Sequence, residues 1–326
     1  LLMSFFNKIK VNYKLKLLDD YVLNKKQSEI FALIKNSKIK DTEIFFHLLN
    51  RFIDKYKNDE IQENFHKQRL ILMNSFDRND YSYLSEFLSF YFDNCQISYA
   101  NRSLQDAIAI DLARLNLTHF PFQIDFDHMV RYSNFFFHSL LIDQENNLSL
   151  FKSSSAFFES NENNHFIPSN ISSAYFFIHQ NPLYIFNSFK EKYSSSQAAL
   201  NEMFNFQNSS ISQHITNSTY QVLENRQSWN IHTNSWIDPN VQSTYRGLII
   251  PHQDFFKDPQ ATFTKVIFHL IQAGIKFEVN YNLIDQFIEE NPLQALKSFP
   301  DLSKKEKKLL INNLDQNLLE QLNYQI

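Results

Sequence analysis

The sequence predicts an α/β protein with a layered sheet, a large helical insertion near its start and a helical subdomain at its C-terminal end. Between residues 120 and 200, short strand-like segments alternate with a helical one. The range 24–95 repeats apolar residues at spacings of three and four and contains neither glycine nor proline, and residues 251–326 are charged and helical in pattern. We therefore expect a main domain over residues 1–240, which includes the insertion, and a helical C-terminal subdomain over residues 241–326.

The first predicted element is a half-buried strand over residues 11–17, VNYKLKL, because apolar and polar residues alternate there. Three or more packed helices are expected in the range 24–95, in segments such as EIFALIKN, EIFFHLLNRFIDKY and YLSEFLSFYF. A further helix is predicted over residues 100–117, ANRSLQDAIAIDLARLNL, with Asn101 or Ser103 as its N-cap.

Strands and a helix are predicted to alternate after this segment. Pro121 ends the preceding helix, and FQIDFDHMV is short and apolar enough to be a strand with its exit. Further strands are predicted at NFFFHSLLID, LSLFKSS and SSAYFFIH, whereas NPLYIFNSFKEKYSS returns to helical spacing. In a sheet of this kind ligands bind beyond the carboxyl ends of the strands, which is where we expect the site.

Composition and charge exclude several classes of function. The 326 residues include two glycines, Gly247 and Gly274, so the chain contains neither a P-loop nor a G-x-G-x-x-G loop. A formal net charge of −4, without a stripe of Lys and Arg, argues against a nucleic-acid partner. The single cysteine, Cys95, excludes an internal disulfide and a cysteine-based zinc cluster.

The sequence also bears on membrane association and on the kind of organism that the protein comes from. No apolar run reaches the ~18–20 residues of a membrane span, so we expect no transmembrane segment. The KKEKK run at 304–308 is predicted to be a solvated helix face, with peripheral membrane contact as the alternative. The chain does not begin with Met, as expected of a fragment or a processed product, and its use of Asn, Lys, Ile and Phe is typical of a bacterium with an AT-rich genome.

Two charged pairs are the main candidates for chemistry. Asp125 and Asp127 lie two apart in a predicted strand, so both carboxylates point to one face, where Mg²⁺ or Mn²⁺ would neutralise them and bridge to diphosphate oxygens. A solvated turn is the alternative for this pair. Asp111 and Arg114 lie three apart on a predicted helix that is rich in apolar residues, which favours a partly buried pair over a surface ion pair.

The segments AIAIDLARL and QIDFDHMV together resemble the D-x-D glycosyltransferases of the clostridial glucosylating-toxin type and the broader family of D-x-D sugar-binding transferases. Those proteins carry a helix with the pattern SD-x-x-R-x-x-x-L, a turn, and a strand with the pattern Y-x-D-x-D. KVNYKLKLLDDYVL resembles the family's early strand, IPSNISSAYFFIHQNPLYIFNSFKEKY its later strand and helix, and NIHTNSWID its closing loop. The four motifs follow the family's order from residue 8 to about residue 240.

The resemblance implies a GT-A fold with a Rossmann-like mixed sheet, and retaining transfer of a sugar from a UDP-sugar to a hydroxyl acceptor, assisted by Mn²⁺ or Mg²⁺. It implies that Asp111 binds sugar hydroxyls, that Arg114 contacts the sugar or the diphosphate, and that Trp236 lies over the diphosphate or donor. It also implies that Asp125 contacts the ribose and sugar or reaches the metal through water. The implied sets are: catalytic, Asp111, Arg114 and Asp125; donor-binding, Asn101, Asp111, Arg114, Asp125, Ser235 and Trp236; metal-binding, Asp127, His232 and Ser235.

The sequence also departs from the family pattern. Phe120-Pro121 stands where the family has Gly-Gly, Gln123 replaces an aromatic residue, and the family's opening Ile-His-x-Ile-Trp strand is absent. Two alternatives therefore stay open beside a toxin or effector that modifies a host protein: a transferase that builds bacterial surface glycan, and a decayed transferase fold that acts as an interaction module. The expected location is the bacterial cytoplasm, or the host cytosol after secretion or injection.

Overall fold

A computed structural model of the chain describes residues 69–77, 80–103, 148–157, 172–204, 227–293 and 302–325, together with positions 13 and 16. Its five strands are β1 (Arg69–Ser75), β2 (Ala100–Ser103), β3 (Leu148–Ser153), β4 (Ser172–His179) and β5 (Gly247–Pro251). They form one sheet in the order β2-β3-β1-β4-β5, and every neighbouring pair is parallel. The prediction of an α/β fold is therefore confirmed, and the described part of the sheet is parallel where a mixed sheet was expected.

Ten helices lie in the described ranges. They are α1 (Ser82–Asn94), α2 (Pro182–Tyr193), α3 (Ser196–Phe204), α4 (Trp229–Ile237), α5 (Pro239–Tyr245), α6 (Asp254–Lys257), α7 (Pro259–Gln272), α8 (Tyr281–Glu290), α9 (Lys304–Ile311) and α10 (Gln316–Gln321). Among them, none combines the length and the apolar character needed to cross a bilayer.

The centre of the sheet is the run RLILMNS of β1, which is buried on both faces from Leu70 to Ser75. A parallel strand covered by helices on both sides needs such a continuous apolar run rather than an alternating one. This strand lies within the range 24–95, so the prediction of helices throughout that range is wrong for residues 69–75. The predicted helix at YLSEFLSFYF is confirmed, because α1 buries Leu84, Phe87 and Tyr91 at helical spacing.

Three other predicted elements differ from the structure. Ala100–Ser103 forms the strand β2 at one edge of the described sheet, so Asn101 is not a helix cap, whereas the cap at Ser103 stays a prediction. Tyr13 and Lys16 are helical and exposed, where a half-buried strand was predicted. Gly247–Pro251, inside the predicted helical subdomain, pairs with β4 as the other edge of the sheet. Residues 104–147 lie outside the described ranges, so the predicted helix beyond Ser103, the D-x-D strand and the NFFFHSLLID strand stay predictions.

Other predicted elements are confirmed. LSLFKSS supplies β3, SSAYFFIH supplies β4, and α2 follows β4 as expected. Asn181 begins α2, because its side chain accepts a hydrogen bond of 2.9 Å from the amide of Leu183 and Pro182 occupies the first turn. The described residues beyond Pro251 are helical wherever they are regular, as predicted for the tail.

One face of the sheet carries the main hydrophobic core. Ile71 and Met73 of β1 and Phe176 and Ile178 of β4 pack there with α1, α7 and α8. The rings of Phe87 and Phe263 stack with centroids 3.9 Å apart and planes inclined by 23°. The helices α7 and α8, which belong to the predicted C-terminal subdomain, therefore share this core with β1 and β4.

The opposite face is covered by α2 and α4. Phe76, just after β1, contacts Phe189 of α2, and Tyr175 of β4 lies with its ring centroid 5.1 Å from that of Trp236 of α4. From β1 the chain runs through α1 to the β2 edge, whereas from β4 it runs through α2 and α4 to the β5 edge. Right-handed crossovers that leave in opposite directions place their helices on opposite faces. The described sheet is therefore doubly wound, and its direction changes between β1 and β4.

Candidate functional site at the carboxyl edge of the sheet

Polar side chains gather where β1, β4 and β5 end. We call the carboxyl-edge cluster the five residues Asp80, His179, Gln180, His252 and Tyr324. Asp80 follows β1, His179 ends β4 and Gln180 follows it, His252 follows β5, and Tyr324 comes from the C-terminal segment after α10. Because the carboxyl ends of parallel strands meet at one edge of a sheet, these five side chains come together from segments far apart in the sequence.

Asp80 and His252 are the central pair of this cluster. The imidazole Nε2 of His252 lies 3.9 Å from Oδ1 of Asp80, and the exposed fractions of the two side chains are 18% and 7%. Oδ2 of Asp80 is inaccessible to solvent and has no hydrogen-bond partner among the described residues. A buried carboxyl oxygen without a partner is costly, which makes Asp80 the group in this cluster with most to gain from a ligand.

Gln180 sets the tautomer of His252. Its side-chain nitrogen lies 3.3 Å from Nδ1 of His252, and an amide nitrogen can only donate. Nδ1 therefore accepts, and in the neutral imidazole the proton is carried by Nε2, on the side of Asp80.

His179 and Tyr324 form the other half of the cluster. The hydroxyl of Tyr324 lies 2.6 Å from Nδ1 of His179 and 3.3 Å from the backbone carbonyl oxygen of the same residue. That carbonyl also accepts the backbone N–H of His252 at 2.8 Å. Both His179 and Tyr324 are buried, so the C-terminal segment is tied to the end of β4 by a hydrogen bond that water barely reaches.

Burial favours the neutral form of every ionisable group in the cluster. It raises the pKa of the Asp80 carboxyl well above its usual value, and the neighbouring Asp77 raises it further. Burial also lowers the pKa of His179 to about 4, with a smaller contribution from His252. The pKa of His252 is lowered to about 4 as well, although the charge of Asp77 works in the opposite direction.

A second polar network lies on the α2 and α4 face of the sheet. The backbone carbonyl of Ser155, just beyond β3, accepts from Nδ2 of Asn74 and from the indole N–H of Trp236, each at 2.9 Å. Tyr175 donates its hydroxyl proton to the carbonyl of Trp236 at 2.6 Å. Oδ1 of Asn74 is buried without a hydrogen-bond partner among the described residues. Asn74 is the sixth residue of β1, so a buried acceptor oxygen also lies near the carboxyl end of this strand.

The four charged residues that carry the sequence prediction lie outside the described ranges. These are Asp111, Arg114, Asp125 and Asp127, and the Phe120-Pro121 turn lies outside them too. Asn101 is described, and it is exposed on the edge strand β2 with its Nδ2 2.9 Å from the hydroxyl of Ser89. Its predicted contact with the donor stays a prediction.

The three predicted site residues near position 235 lie on α4, so the expected closing loop is a helix in the structure. The side chain of Ser228 caps this helix, and the backbone from Trp229 to Ile237 is regular. His232 is fully buried, with its ring centroid 5.4 Å from that of Phe76 and 5.6 Å from that of Phe177. The aromatic rings of Phe76 and Phe177 thus pack against the imidazole.

Ser235 and Trp236 are also engaged in internal contacts. The hydroxyl of Ser235 donates to the carbonyl of His232 at 2.7 Å and accepts the backbone N–H of Phe157 at 2.9 Å. Trp236 is 1% exposed, and its ring packs against Phe157 and Tyr175. The structure thus brings His232, Ser235 and Trp236 together on one helix, in positions that serve packing. Their predicted roles toward a metal and a donor stay predictions.

The sequence prediction missed Asp80 and His252. The signal for Asp80 is the stretch FDRND directly after the apolar run RLILMNS, but the apolar spacing of the range 24–95 predicts a helix for that run. The signal for His252 was its place directly after GLIIP, within a tail interpreted as wholly helical. His179 is the last residue of the predicted strand SSAYFFIH, and its bond with Tyr324 gives it a structural role.

No group of three or more His, Cys, Asp or Glu side chains with metal-binding geometry occurs within the described ranges. No model of a known protein family matches the chain, and a search of curated proteins found no significant match.

Proposed function

We propose that the chain is a glycosyltransferase that binds a UDP-sugar at the carboxyl edge of its sheet and transfers the sugar to a hydroxyl group of a protein or glycan. The observation that carries this proposal is the polar cluster at the point where the winding of the sheet changes direction. Asp80 follows β1 and Gln180 follows β4, the two strands between which the direction changes. In doubly wound α/β sheets this crevice is the place where nucleotides bind.

The part of the proposal that concerns the sugar and the diphosphate is supported by the sequence. The pairs Asp111 and Arg114, and Asp125 and Asp127, resemble the D-x-D transferases in their order and in the spacing within each pair. We propose that the first pair holds the donor sugar and that the second pair holds Mn²⁺ or Mg²⁺ against the diphosphate. A GT-A arrangement, retained anomeric configuration and action in the bacterial or host cytosol belong to the same proposal.

The described residues have clear tasks in such a reaction. Asn74 and Asp80 offer buried acceptor oxygens, which suit the hydroxyl donors of a sugar. His179 and Tyr324 tie the C-terminal segment over the end of β4, which helps to keep water away from the crevice. A divalent ion, when bound, would stabilise the charge on the departing diphosphate.

The contacts of His232 and Ser235 on α4 give little support to their predicted role as metal ligands. His232 is buried between aromatic rings, and the hydroxyl of Ser235 is engaged with backbone groups on both sides. The carboxylates proposed as the principal ligands, Asp125 and Asp127, are hard oxygen donors that suit Mn²⁺ or Mg²⁺. We therefore assign the proposed ion to the two aspartates alone.

The proposal is tested by release of UDP from a panel of UDP-sugars in the presence of Mn²⁺. We expect wild-type protein to hydrolyse at least one donor, and chelation by EDTA to stop the reaction. Asp125→Asn and Asp127→Asn should each lower turnover by about 100-fold, because an interaction that stabilises developing charge is removed. Asp93→Asn, an exposed change on α1, serves as the matched control. Equal turnover in all four proteins would contradict the proposal.

The burial of the predicted site residues on α4 favours a second candidate function. In that interpretation the chain keeps the transferase fold but acts as an interaction module, because the residues proposed to close the donor site are buried in a regular helix. Calorimetric titration with UDP and Mn²⁺ separates the two functions. The transferase predicts that UDP binds more tightly when Mn²⁺ is present, whereas a decayed site predicts no coupled binding.

A further inference from the structure

The side chains of Asp80, His252 and Gln180 are arranged so that one hydrogen-bond donor and one acceptor face each other. Gln180 holds Nδ1 of His252 as an acceptor, so Nε2 carries a proton that faces Asp80. The 3.9 Å between Nε2 and Oδ1 is too long for a good hydrogen bond. The donor of His252 and the acceptor of Asp80 therefore face each other without satisfying each other.

We propose that a ligand hydroxyl binds between His252 and Asp80, and that Asp80 is the acid–base group that takes its proton during transfer. This inference rests on the proposed function, and it assigns the acceptor side of that reaction to residues outside the D-x-D motif. The hydroxyl oxygen accepts the Nε2–H of His252 and donates its own proton to Asp80. His252 is then a positioning residue, and Gln180 fixes its tautomer.

The geometry requires only a small opening of the pair. Two hydrogen bonds of ~2.8 Å that share one tetrahedral oxygen span roughly 4.5 Å. Since Nε2 and Oδ1 are 3.9 Å apart, the pair has to widen by less than about 1 Å. The ligand approaches from the side of His252, because that side chain is the more exposed of the two and Oδ2 of Asp80 is covered.

The proposed step is a proton transfer coupled to sugar transfer. The O–H bond of the acceptor breaks, its proton passes to the Asp80 carboxylate, and the electron pair stays on the acceptor oxygen. That oxygen forms the new bond to the anomeric carbon on the face from which the diphosphate departs, so the anomeric configuration is retained. The bond from this carbon to the diphosphate oxygen breaks, and its electrons leave with UDP. In hydrolysis a water molecule takes the place of the acceptor.

The environment of Asp80 suits this task. Burial raises the pKa of its carboxyl, and Asp77 raises it further, so its carboxylate is a stronger proton acceptor than a solvent-exposed one. Among the described residues, the other ionisable groups that interact electrostatically with the pair come from its own loop, from β4 and from the C-terminal segment: Asp77, His179 and Tyr324. Asp254 of α6 acts on Tyr324.

Hydrolysis of UDP-glucose in Mn²⁺, measured from pH 5 to pH 9, tests the inference. If UDP-glucose is not a donor, the same measurement uses the most active UDP-sugar of the panel. Asp80→Asn should lower kcat by about 100-fold, leave KM within about twofold, and remove the acid limb of the pH profile. His252→Gln should shift that limb and lower kcat less than Asp80→Asn does. Asp93→Asn should leave both kcat and the profile unchanged.

The controls distinguish misfolding of a variant, failure of the proposed function and failure of this inference alone. Thermal unfolding checks that Asp80→Asn folds, and His252→Gln supplies an independent variant of the same pair. A wild-type protein that hydrolyses no UDP-sugar overturns the proposed function and this inference with it. An active wild type, together with Asp80→Asn of equal kcat and an unchanged acid limb, overturns this inference alone.

Discussion

The hydroxyl of Tyr324 lies 2.6 Å from Nδ1 of His179, although the two residues are 145 positions apart in the chain. This bond joins the C-terminal segment to the end of β4, next to the residues proposed to handle the acceptor. It explains why a segment beyond α10, which the sequence assigns to a separate helical subdomain, contributes to the carboxyl edge of the sheet.

Removing this hydroxyl should destabilise the protein. Tyr324→Phe leaves the buried Nδ1 of His179 without its hydrogen-bond partner, at a cost of about 1–3 kcal/mol in the free energy of unfolding. Urea unfolding at pH 7 measures the change. Tyr281→Phe is the matched control, because the ring of Tyr281 is 51% exposed, and its effect should stay within about 0.5 kcal/mol. Equal effects of the two changes would show that the bond contributes nothing to stability.

The stability of the protein should fall in mild acid because of His179. Burial lowers its pKa from 6.5 to about 4, so the unfolded chain binds a proton more readily than the folded protein does. Its contribution to the free energy of unfolding is fully present above pH 6.5 and is lost as the pH falls toward 4. We expect His179→Gln to be less stable than wild type at pH 7 and to approach wild-type stability near pH 4. Urea unfolding at several pH values measures the difference, and a difference that does not change with pH would contradict the assignment.

Glu306 should stabilise the start of α9 in a way that depends on its charge. Its carboxylate lies 2.7 Å from Nζ of Lys190 and 2.6 Å from the hydroxyl of Ser196, and it forms a capping box with Ser303. The bonds from Lys190, Ser196 and Ser303 lower its pKa to about 2. Its contribution is therefore present above the ordinary value of 4.5 and is lost as the pH falls toward 2.

Glu306→Gln tests this contribution. We expect it to cost about 1 kcal/mol at pH 7, and we expect the loss to shrink between pH 4.5 and pH 2. Chemical unfolding followed by circular dichroism measures it. Glu320→Gln on α10 is an exposed control that should change little at any of these pH values. A cost for Glu306→Gln that persists unchanged at pH 2 would show that the charge is not responsible.

Gly247→Ala should destabilise the edge strand β5. A methyl group at this position would overlap the ring of Tyr175, whose hydroxyl is fixed by its bond to Trp236. Strand propensity alone favours Ala over Gly and would raise the free energy of unfolding. The overlap should lower it by about 1–3 kcal/mol. The sign of the measured change therefore shows which of the two effects is larger. Urea unfolding followed by tryptophan fluorescence measures it, with the exposed Ser243→Ala as control. A stabilising effect would contradict the packing described at this contact.

Much of the fold could be predicted from the sequence, because its signals are local. The short apolar run of SSAYFFIH, the Asn181-Pro182 start of α2 that closes it and the apolar spacing of α1 each specify one element without help from the rest of the chain. β1 could not be recognised in this way, since neither Pro nor Gly bounds its apolar run, and a fully buried strand without such a boundary resembles a stretch of buried helix.

The candidate site was harder to predict than the fold. Asp80 and His252 are 172 positions apart, and nothing in their local sequence links them; only the parallel pairing of strands brings them together. The resemblance assigns three residues, His232, Ser235 and Trp236, to a closing loop. The Ser228 cap and the apolar face of the following residues instead make this segment a helix. Burial decides the environment of such residues, and it depends on the tertiary structure.

Hydrogen–deuterium exchange with a UDP-sugar and Mn²⁺ tests the central claim, which is that the donor and acceptor meet at the carboxyl edge of the sheet. We expect added protection in peptides that cover residues 74–77, 179–183 and 250–254, and no change in α8 at the far side of the core. Protection confined to segments away from these three strand ends, or none at a donor concentration that supports hydrolysis, would contradict the account.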